Sequence, residues 1–179
     1  MLCPKEEKDQ ASYAIGLDAS LTSFGVYFLP VAGKGETYSF TLGTDNKTSD
    51  TWRTLDLATE VIEAIDCLPL QSIAAFEDYG PIGRTSGKIA ARAEMCGIIK
   101  HHLLHVLKVP LILVAPKPLK QYACGNGNAK KEHMLNAANA LGVFPETHDE
   151  ADAFHVARFA RDVLENDAPK FTFQRINPR

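Results

Sequence analysis

The chain has 179 residues, of which 45% are hydrophobic and 23% charged, with a net charge of −3; that suits one domain with a core that needs neither disulfides nor a structural metal. The four cysteines (Cys3, Cys67, Cys96 and Cys124) are widely spaced with no C-x-x-C pair, which argues against zinc ribbons and thioredoxin-type chemistry and fits free thiols in a reducing compartment. The charged start MLCPKEEKDQ does not read as a signal peptide, and no stretch approaches the ~18 consecutive apolar residues of a membrane span, so a soluble, cytoplasmic protein without a membrane partner is expected.

Residues 1–11 are expected to be a flexible tail. Tyr13 to Leu17 (YAIGL) is a short apolar run ending at Asp18 and reads as a buried strand. The turn ASLTS leads to a second strand, Phe24 to Leu29, and Thr37 to Leu42 gives a third, so three antiparallel strands follow one another through short connections. Thr51 to Asp66 has helical spacing in Leu55, Ala58, Ile62 and Ile65, with Asp50 as its N-cap. Ser72 to Phe76 is a buried strand ending at Glu77. After the loop YGPIGRTSG, Lys88 to Leu107 reads as one long helix stopped by Pro110. Leu111 to Val114 is a further apolar strand, and Pro116 to Tyr122 a short helix with proline in its first turn. Beyond the loop CGNGN, Ala129 to Leu141 is helical with Asn128 as N-cap, and Asp149 to Leu164 forms the last helix. Residues 168–179 read as a polar, Pro-rich flexible tail. The expected fold class is therefore α/β, a single domain over 1–179 with a mixed five-stranded sheet (three antiparallel strands, then two parallel) flanked by helices.

Four acids stand where acids are locally odd. Asp18 and Glu77 each end an apolar run, so two central strands deliver two carboxylates to one sheet edge. Asp149 and Asp152 lie at i and i+3 in the first turn of a helix and share a face. Taken singly, such residues also serve as turn formers and as partners of the helix dipole. Together they point to a divalent cation, because clustered carboxylates repel one another and are costly to desolvate. Hard oxygen ligands select Mg²⁺ or Mn²⁺, and two such ions suit phosphodiester hydrolysis by water. Asp78 competes with Glu77 unless strand alternation turns it to the other face. Glu150, about 100° around the helix from Asp149, is expected to be solvated. His155 is either an accessory ligand or proton shuttle one turn on, or a histidine at the core edge.

At this point the residues resemble those of the RuvC-type Holliday junction resolvases. IGLDASLTSFGVYFL is similar to that family's first strand, catalytic Asp and hairpin, and AFEDYG to its strand-terminal Glu motif. APKPLKQYACGNGNAKKEHML resembles its lysine-bearing stretch, and HDEADAFHVARFA its closing Asp-x-x-Asp-Ala helix. The motifs occur in family order over roughly residues 13 to 165. GNGNAKKE looks close to bacteriophage-type members, which would act in the host cytoplasm. The resemblance implies an RNase H-like fold, a homodimer, and paired nicks across a four-way DNA junction. It assigns Asp18, Glu77, Asp149 and Asp152 to catalysis and metal binding, with two Mg²⁺ ions, and Lys120 and Lys131 to DNA.

The charge distribution agrees with such a partner. Arg84 to Met134 carries nine Lys or Arg and two Glu, whereas the residues before it carry five basic and thirteen acidic side chains. Lys117, Lys120, Lys130 and Lys131 bracket CGNGN, whose glycines let backbone approach a phosphate beside a helix N-terminus. Tyr79, Arg84 and Lys88 make the loop after Glu77 a second DNA element, with Tyr79 or Ile82 as a wedge at an unpaired base. Ile98, Ile99, Leu103, Leu104, Val106 and Leu107 give the long helix enough apolar surface for a dimer seam as well as core contacts. The alternatives are a flap-type or RNase H-type nuclease on the same fold, or an inactive junction-binding protein.

Overall fold

In the first strand, β1 (Tyr13–Asp18), residues alternate between two cores: Ile15 and Leu17 pack into one, Ala14 into the other. The computed structural model describes residues 12–31, 35–44, 50–66, 71–77, 87–165 and 171–179, with only the backbone at 50, 87 and 88. The further elements are β2 (Phe24–Pro30), β3 (Tyr38–Leu42), α1 (Asp50–Ile65), β4 (Ile73–Glu77), α2 (Gly87–His101), β5 (Leu111–Val114), α3 (Pro116–Cys124), α4 (Lys131–Ala140), α5 (His148–Leu164) and β6 (Phe173–Ile176).

The sheet has six strands in the order β3-β2-β1-β4-β5-β6. β1 pairs antiparallel with β2 and parallel with β4, β4 pairs parallel with β5, and β6 returns antiparallel to β5. This corrects the expected five-stranded sheet. The sixth strand comes from the stretch read as a tail: Phe173 to Ile176 pairs with Val114 to Leu111 and covers an edge that five strands would leave open. Phe173 packs edge-to-face on Phe159 at 5.6 Å, which anchors it.

One sheet face is covered by α1 and α2, through Leu57, Val61 and Ile65 from the first and Met95 and Ile99 from the second. Phe24, Phe76, Ile15 and Leu17 meet them from the strands and are fully buried; each contributes about 1.5–3 kcal/mol. The other face carries α3 and α5, with α4 against α5. The long helix expected over Lys88 to Leu107 changes character at its end. His102–Val106 forms a single π-helical turn, Leu107 donating to the His102 carbonyl at 3.0 Å. Lys108 then takes a left-handed φ of 57° and redirects the chain into β5.

The closest approach is between α5 and the sheet. A methyl group on Gly16 would lie 1.9 Å from the Ala153 carbonyl oxygen, and one on Gly25 would lie 2.3 Å from the Asp149 carbonyl oxygen. Helix backbone thus rests directly on strand backbone, which only glycine permits at both positions. The start of α5 is fixed by two side-chain-to-backbone bonds. Thr147 Oγ1 accepts from the Glu150 N–H at 3.1 Å, and the Glu150 carboxylate accepts from the Glu146 N–H at 2.9 Å. Glu150 is accordingly buried rather than solvated.

Gly16→Ala is expected to destabilise the protein by about 3 kcal/mol or more, since backbone must move to admit the methyl. Gly97→Ala, in α2 with nothing within 4 Å of the added carbon, should instead stabilise by about 0.5–1 kcal/mol. Urea midpoints of the two variants measure both; a tolerated alanine at Gly16 would show that α5 is not seated as described.

Candidate active site

Strand alternation sets which way the acids point. Leu17 and Phe76 face α1 and α2 and stand opposite each other in the β1–β4 register. Asp18 and Glu77, the next residues, therefore turn to the α5 face. Asp18 also lies opposite Gly25 on β2, directly where the Asp149 backbone comes down. Seating α5 on Gly16 and Gly25 thus places its first turns over the end of β1. The result is a group of three carboxylates, Asp18, Asp149 and Asp152, with ligand atoms within 4.8 Å of one another.

These acids line a cleft of about 300 Å³ together with Glu77, Arg92, Lys120 and Lys131. Glu77 lies outside the close trio but feels it: burial, then the charge of Asp18, pushes its carboxyl up to about 7. Burial, reinforced by Asp152 and Asp149, likewise raises Asp18 to about 7. Asp152 is raised to about 6, first by burial and then by Glu77. Asp149 behaves differently. Burial pushes it up, but hydrogen bonds from Lys131 and Ser23 outweigh that and hold it below the ordinary carboxylate range. Lys131 Nζ lies 2.8 Å from Asp149 Oδ1, and this bond raises the lysine in turn.

The donor set is chemically suited to a hard divalent cation. Three carboxylates meet in one cleft, where burial first and the charges of neighbouring acids second raise Asp18 and Asp152; a cation on the shared face offsets both. Asp18, Asp149 and Asp152 could hold such an ion, with Glu77 within the same cleft.

The expected cations divide into two groups. Lys120 and Lys131 line the cleft, and their charges lower Glu77 and Asp152. Lys117 and Lys130 are exposed and are not among the residues lining it. Arg92 on α2 was not anticipated from the sequence. It lines the cleft and its charge lowers Asp18 and Glu77; its spacing of four from Lys88 was the available signal. His155 is fully buried and turned away from the acids: its Nε2 lies 2.9 Å from the Met134 carbonyl oxygen of α4, and burial lowers it to about 4. Asp78, Tyr79 and Arg84 lie outside the described residues, as does the side chain of Lys88.

The CGNGN loop is closed on itself. Gln121 donates through Nε2 to the Gly125 carbonyl at 2.8 Å and accepts from the Gly127 N–H at 3.1 Å, while the Asn128 N–H donates to Asn126 Oδ1. Those amides are therefore committed to the loop rather than offered to a phosphate. The N-cap of α4 is Lys130, not Asn128, and the Lys130 N–H donates to His133 Nδ1 at 3.0 Å. The loop's effect is to deliver Lys131 to Asp149.

Fold and site together define an RNase H-like α/β arrangement with an acidic cleft able to take a metal. No family model and no curated protein sequence matches the chain. Among solved structures, it matches Thermus thermophilus RuvC with a TM-score of 0.66 at 21% identity, over 85% of this chain and 95% of that one. The same protein in complex with a Holliday junction substrate gives 0.66 at 20%, over 87% and 94%. The yeast mitochondrial Holliday junction resolvase Ydc2 gives 0.51 at 12%, over 82% and 77%. The likeness at these identities is one of fold. Among the described residues, no helix is long and apolar enough to cross a membrane.

The raised acids have a stability consequence. Asp18 has a folded pKa of about 7, above its unfolded value, so its contribution is present below about pH 4 and is lost as pH rises through about 7. Asp18→Asn should therefore raise the Tm of metal-free protein by on the order of 5 °C at pH 8 and leave it nearly unchanged at pH 4. Adding 10 mM Mg²⁺ should raise the Tm of the parent protein and not that of the variant. Equal melting of the two proteins at pH 8 without metal would contradict the description of the cleft.

Proposed function

We propose that the protein is a metal-dependent endonuclease that resolves four-way DNA junctions by paired phosphodiester hydrolysis. The observation that carries this reading is the convergence of Asp18, Asp149 and Asp152 beside Lys120, Lys131 and Arg92 in one cleft, on a fold shared with RuvC. Asp18, Glu77, Asp149 and Asp152 would hold two Mg²⁺ ions, for which Mn²⁺ substitutes. When bound, the ions supply an activated water and neutralise charge on the attacked phosphate and the leaving oxygen.

The chain's own contribution is positioning and charge. The three close carboxylates are short side chains set by the end of β1 and the first turns of α5. Lys131 keeps Asp149 ionised, and Arg92 and Lys120 offset the negative field at Glu77. Lys120 and Lys131 would also contact DNA phosphates at the rim, with Lys117 and Lys130 further along the backbone; such contacts set affinity more than sequence choice.

The same reading includes a homodimer, whose two-fold axis matches that of a junction. Support comes from an apolar face between α1 and α2. Leu55 and Ile98 are exposed and line, with Gly97, a groove of about 550 Å³. Of the apolar residues of this stretch, Ile99 and Leu103 supply the core contacts, being fully buried.

Asp18→Asn should lower Mg²⁺-dependent cleavage of a four-way junction by at least about 10³-fold, with junction affinity in Ca²⁺ within about threefold. Parallel assays on flaps, RNA–DNA hybrids and linear duplex separate a junction resolvase from broader nucleases; absence of cleavage on all of them, with junction binding intact, would identify an inactive binder. Lys131→Ala should reduce the salt dependence of junction binding by about one unit of slope, and an unchanged slope would remove it from the interface. Ile98→Asp should halve the mass measured by sedimentation without altering the far-UV spectrum; a parent protein that sediments as a monomer at tens of micromolar with and without junction would refute the dimer.

A further inference from the structure

From His101 to His105 the chain reads HHLLH, and its histidines divide by partner. His102 Nε2 lies 2.9 Å from Asp66 Oδ1, just past the end of α1. His101 and His105 take no hydrogen bond or ion pair among the described residues. They meet each other instead, with ring centroids 4.9 Å apart and an interplanar angle of 26°, and both are exposed. The π turn explains the meeting. In an α-helix four residues overshoot a full turn by about 40°. The wider turn over His102–Val106, in which the Leu107 N–H donates to the His102 carbonyl, takes that overshoot out and stands the two rings one above the other. Leu103, fully buried, anchors the turn in the core, so packing rather than the rings themselves holds this arrangement.

Two imidazoles four residues apart on one helix face chelate borderline divalent cations, because the second nitrogen binds intramolecularly once the first has bound. Side chains already in contact lose little further freedom in doing so. We propose that His101 and His105 form a second metal site, for a transition cation such as Ni²⁺, Zn²⁺ or Cu²⁺. Its donors are nitrogens, whereas those of the acidic cleft are hard oxygens, so the two sites select different ions. They are also separate in space. Arg92, which lines the cleft, precedes His101 by nine residues of α2, about 13 Å along the helix axis. Among the described residues, Asp18, Asp149 and Asp152 are the one group of three metal-ligating side chains that converge, so the imidazole pair leaves the other positions of its ion to solvent. The ion would tie the last turn of α2 to the π turn. It would also sit beside the groove between α1 and α2, which His101 lines with Leu55 and Ile98. The assignment depends neither on the nucleic-acid reading nor on the dimer.

The test uses tag-free protein without DNA, with Ni²⁺ as the probe and about 10 mM Mg²⁺ present to occupy the carboxylates. Calorimetric titration should give one Ni²⁺ per chain with a Kd below about 100 µM, and the same value in Asp18→Asn. His105→Ala and His101→Gln should each weaken binding by at least about tenfold, since either removes the chelate. Ni²⁺ should raise the Tm of the parent protein and not that of His105→Ala. In NMR spectra of the parent, the ring protons of His101 and His105 should broaden at the lowest Ni²⁺, before those of the exposed His133 and His148. This order is read without any substitution, so the site stays testable if a variant fails to fold by circular dichroism. Equal Ni²⁺ affinity in the parent and His105→Ala would overturn the proposal, as would uniform broadening of all exposed histidines. Loss of binding in Asp18→Asn would do the same, by placing the ion in the acidic cleft.

Discussion

The contact between the α5 backbone and two glycines of the sheet is the constraint on which the site depends. Gly16 and Gly25 sit on adjacent strands and lie under successive parts of the helix, one below the Ala153 carbonyl and the other below that of Asp149. Side chains at either position would lift the helix by about the thickness of a methyl group. The consequence would be felt at the carboxylates, because Asp18 belongs to β1 and Asp149 and Asp152 belong to α5. Close packing between these elements is thus also the metric that brings three like charges within 4.8 Å. The alanines at 151, 153, 157 and 160 serve the same end, keeping the buried side of α5 thin over most of its length.

Such a cluster carries an electrostatic cost that the rest of the cleft partly offsets. Burial and mutual repulsion raise Asp18, Glu77 and Asp152, while Asp149 escapes because Lys131 and Ser23 hydrogen-bond to it. The counter-charges come from three different helices: Arg92 from α2, Lys120 from α3 and Lys131 from α4. The closed CGNGN loop explains how the last arrives, since Gln121 clamps the turn between α3 and α4. Its glycines serve the turn rather than the ligand, with Gly125 at a φ of 70°.

Much of this was legible in the sequence wherever a physical pattern spanned several residues. YAIGL and SIAAF are apolar throughout because both strands are buried on two faces, so the acids ending them stood out, and the i, i+3 spacing of Asp149 and Asp152 put them on one helix face. What escaped depended on a partner distant in sequence or on a signal weighed wrongly. FQRI alternates too weakly to announce a strand, and its pairing with β5 comes from Phe173 meeting Phe159 across the fold. Glu150 was judged by its angle around the helix, although Thr147-x-x-Glu150 is a capping-box pattern that predicts a committed carboxylate. The glycines at 16 and 25 read as ordinary small residues, since nothing local says that a helix backbone will land on them. Arg53 is a similar case: a charged residue at the start of α1, it is buried and bonded to Thr44 and the Leu21 carbonyl, which adjoin it only in the fold.

The two kinds of charge in the cleft are mounted differently, and this follows from side-chain length. Asp18, Asp149 and Asp152 have one carbon between backbone and carboxyl, so their oxygens can converge only if the main chain is placed to within a fraction of an ångström. The six-stranded sheet and the backbone-to-backbone seating of α5 do that. Lys120, Lys131 and Arg92 have long stems, and Lys131 remains 62% exposed even while paired with Asp149. Cations of this kind can follow a charged backbone that differs from site to site, whereas short carboxylates cannot. Arg53 is the exception among the basic residues, since burial and the Thr44 contact hold its guanidinium in place. The cleft thus joins closely placed short acids to long-stemmed cations drawn from three helices.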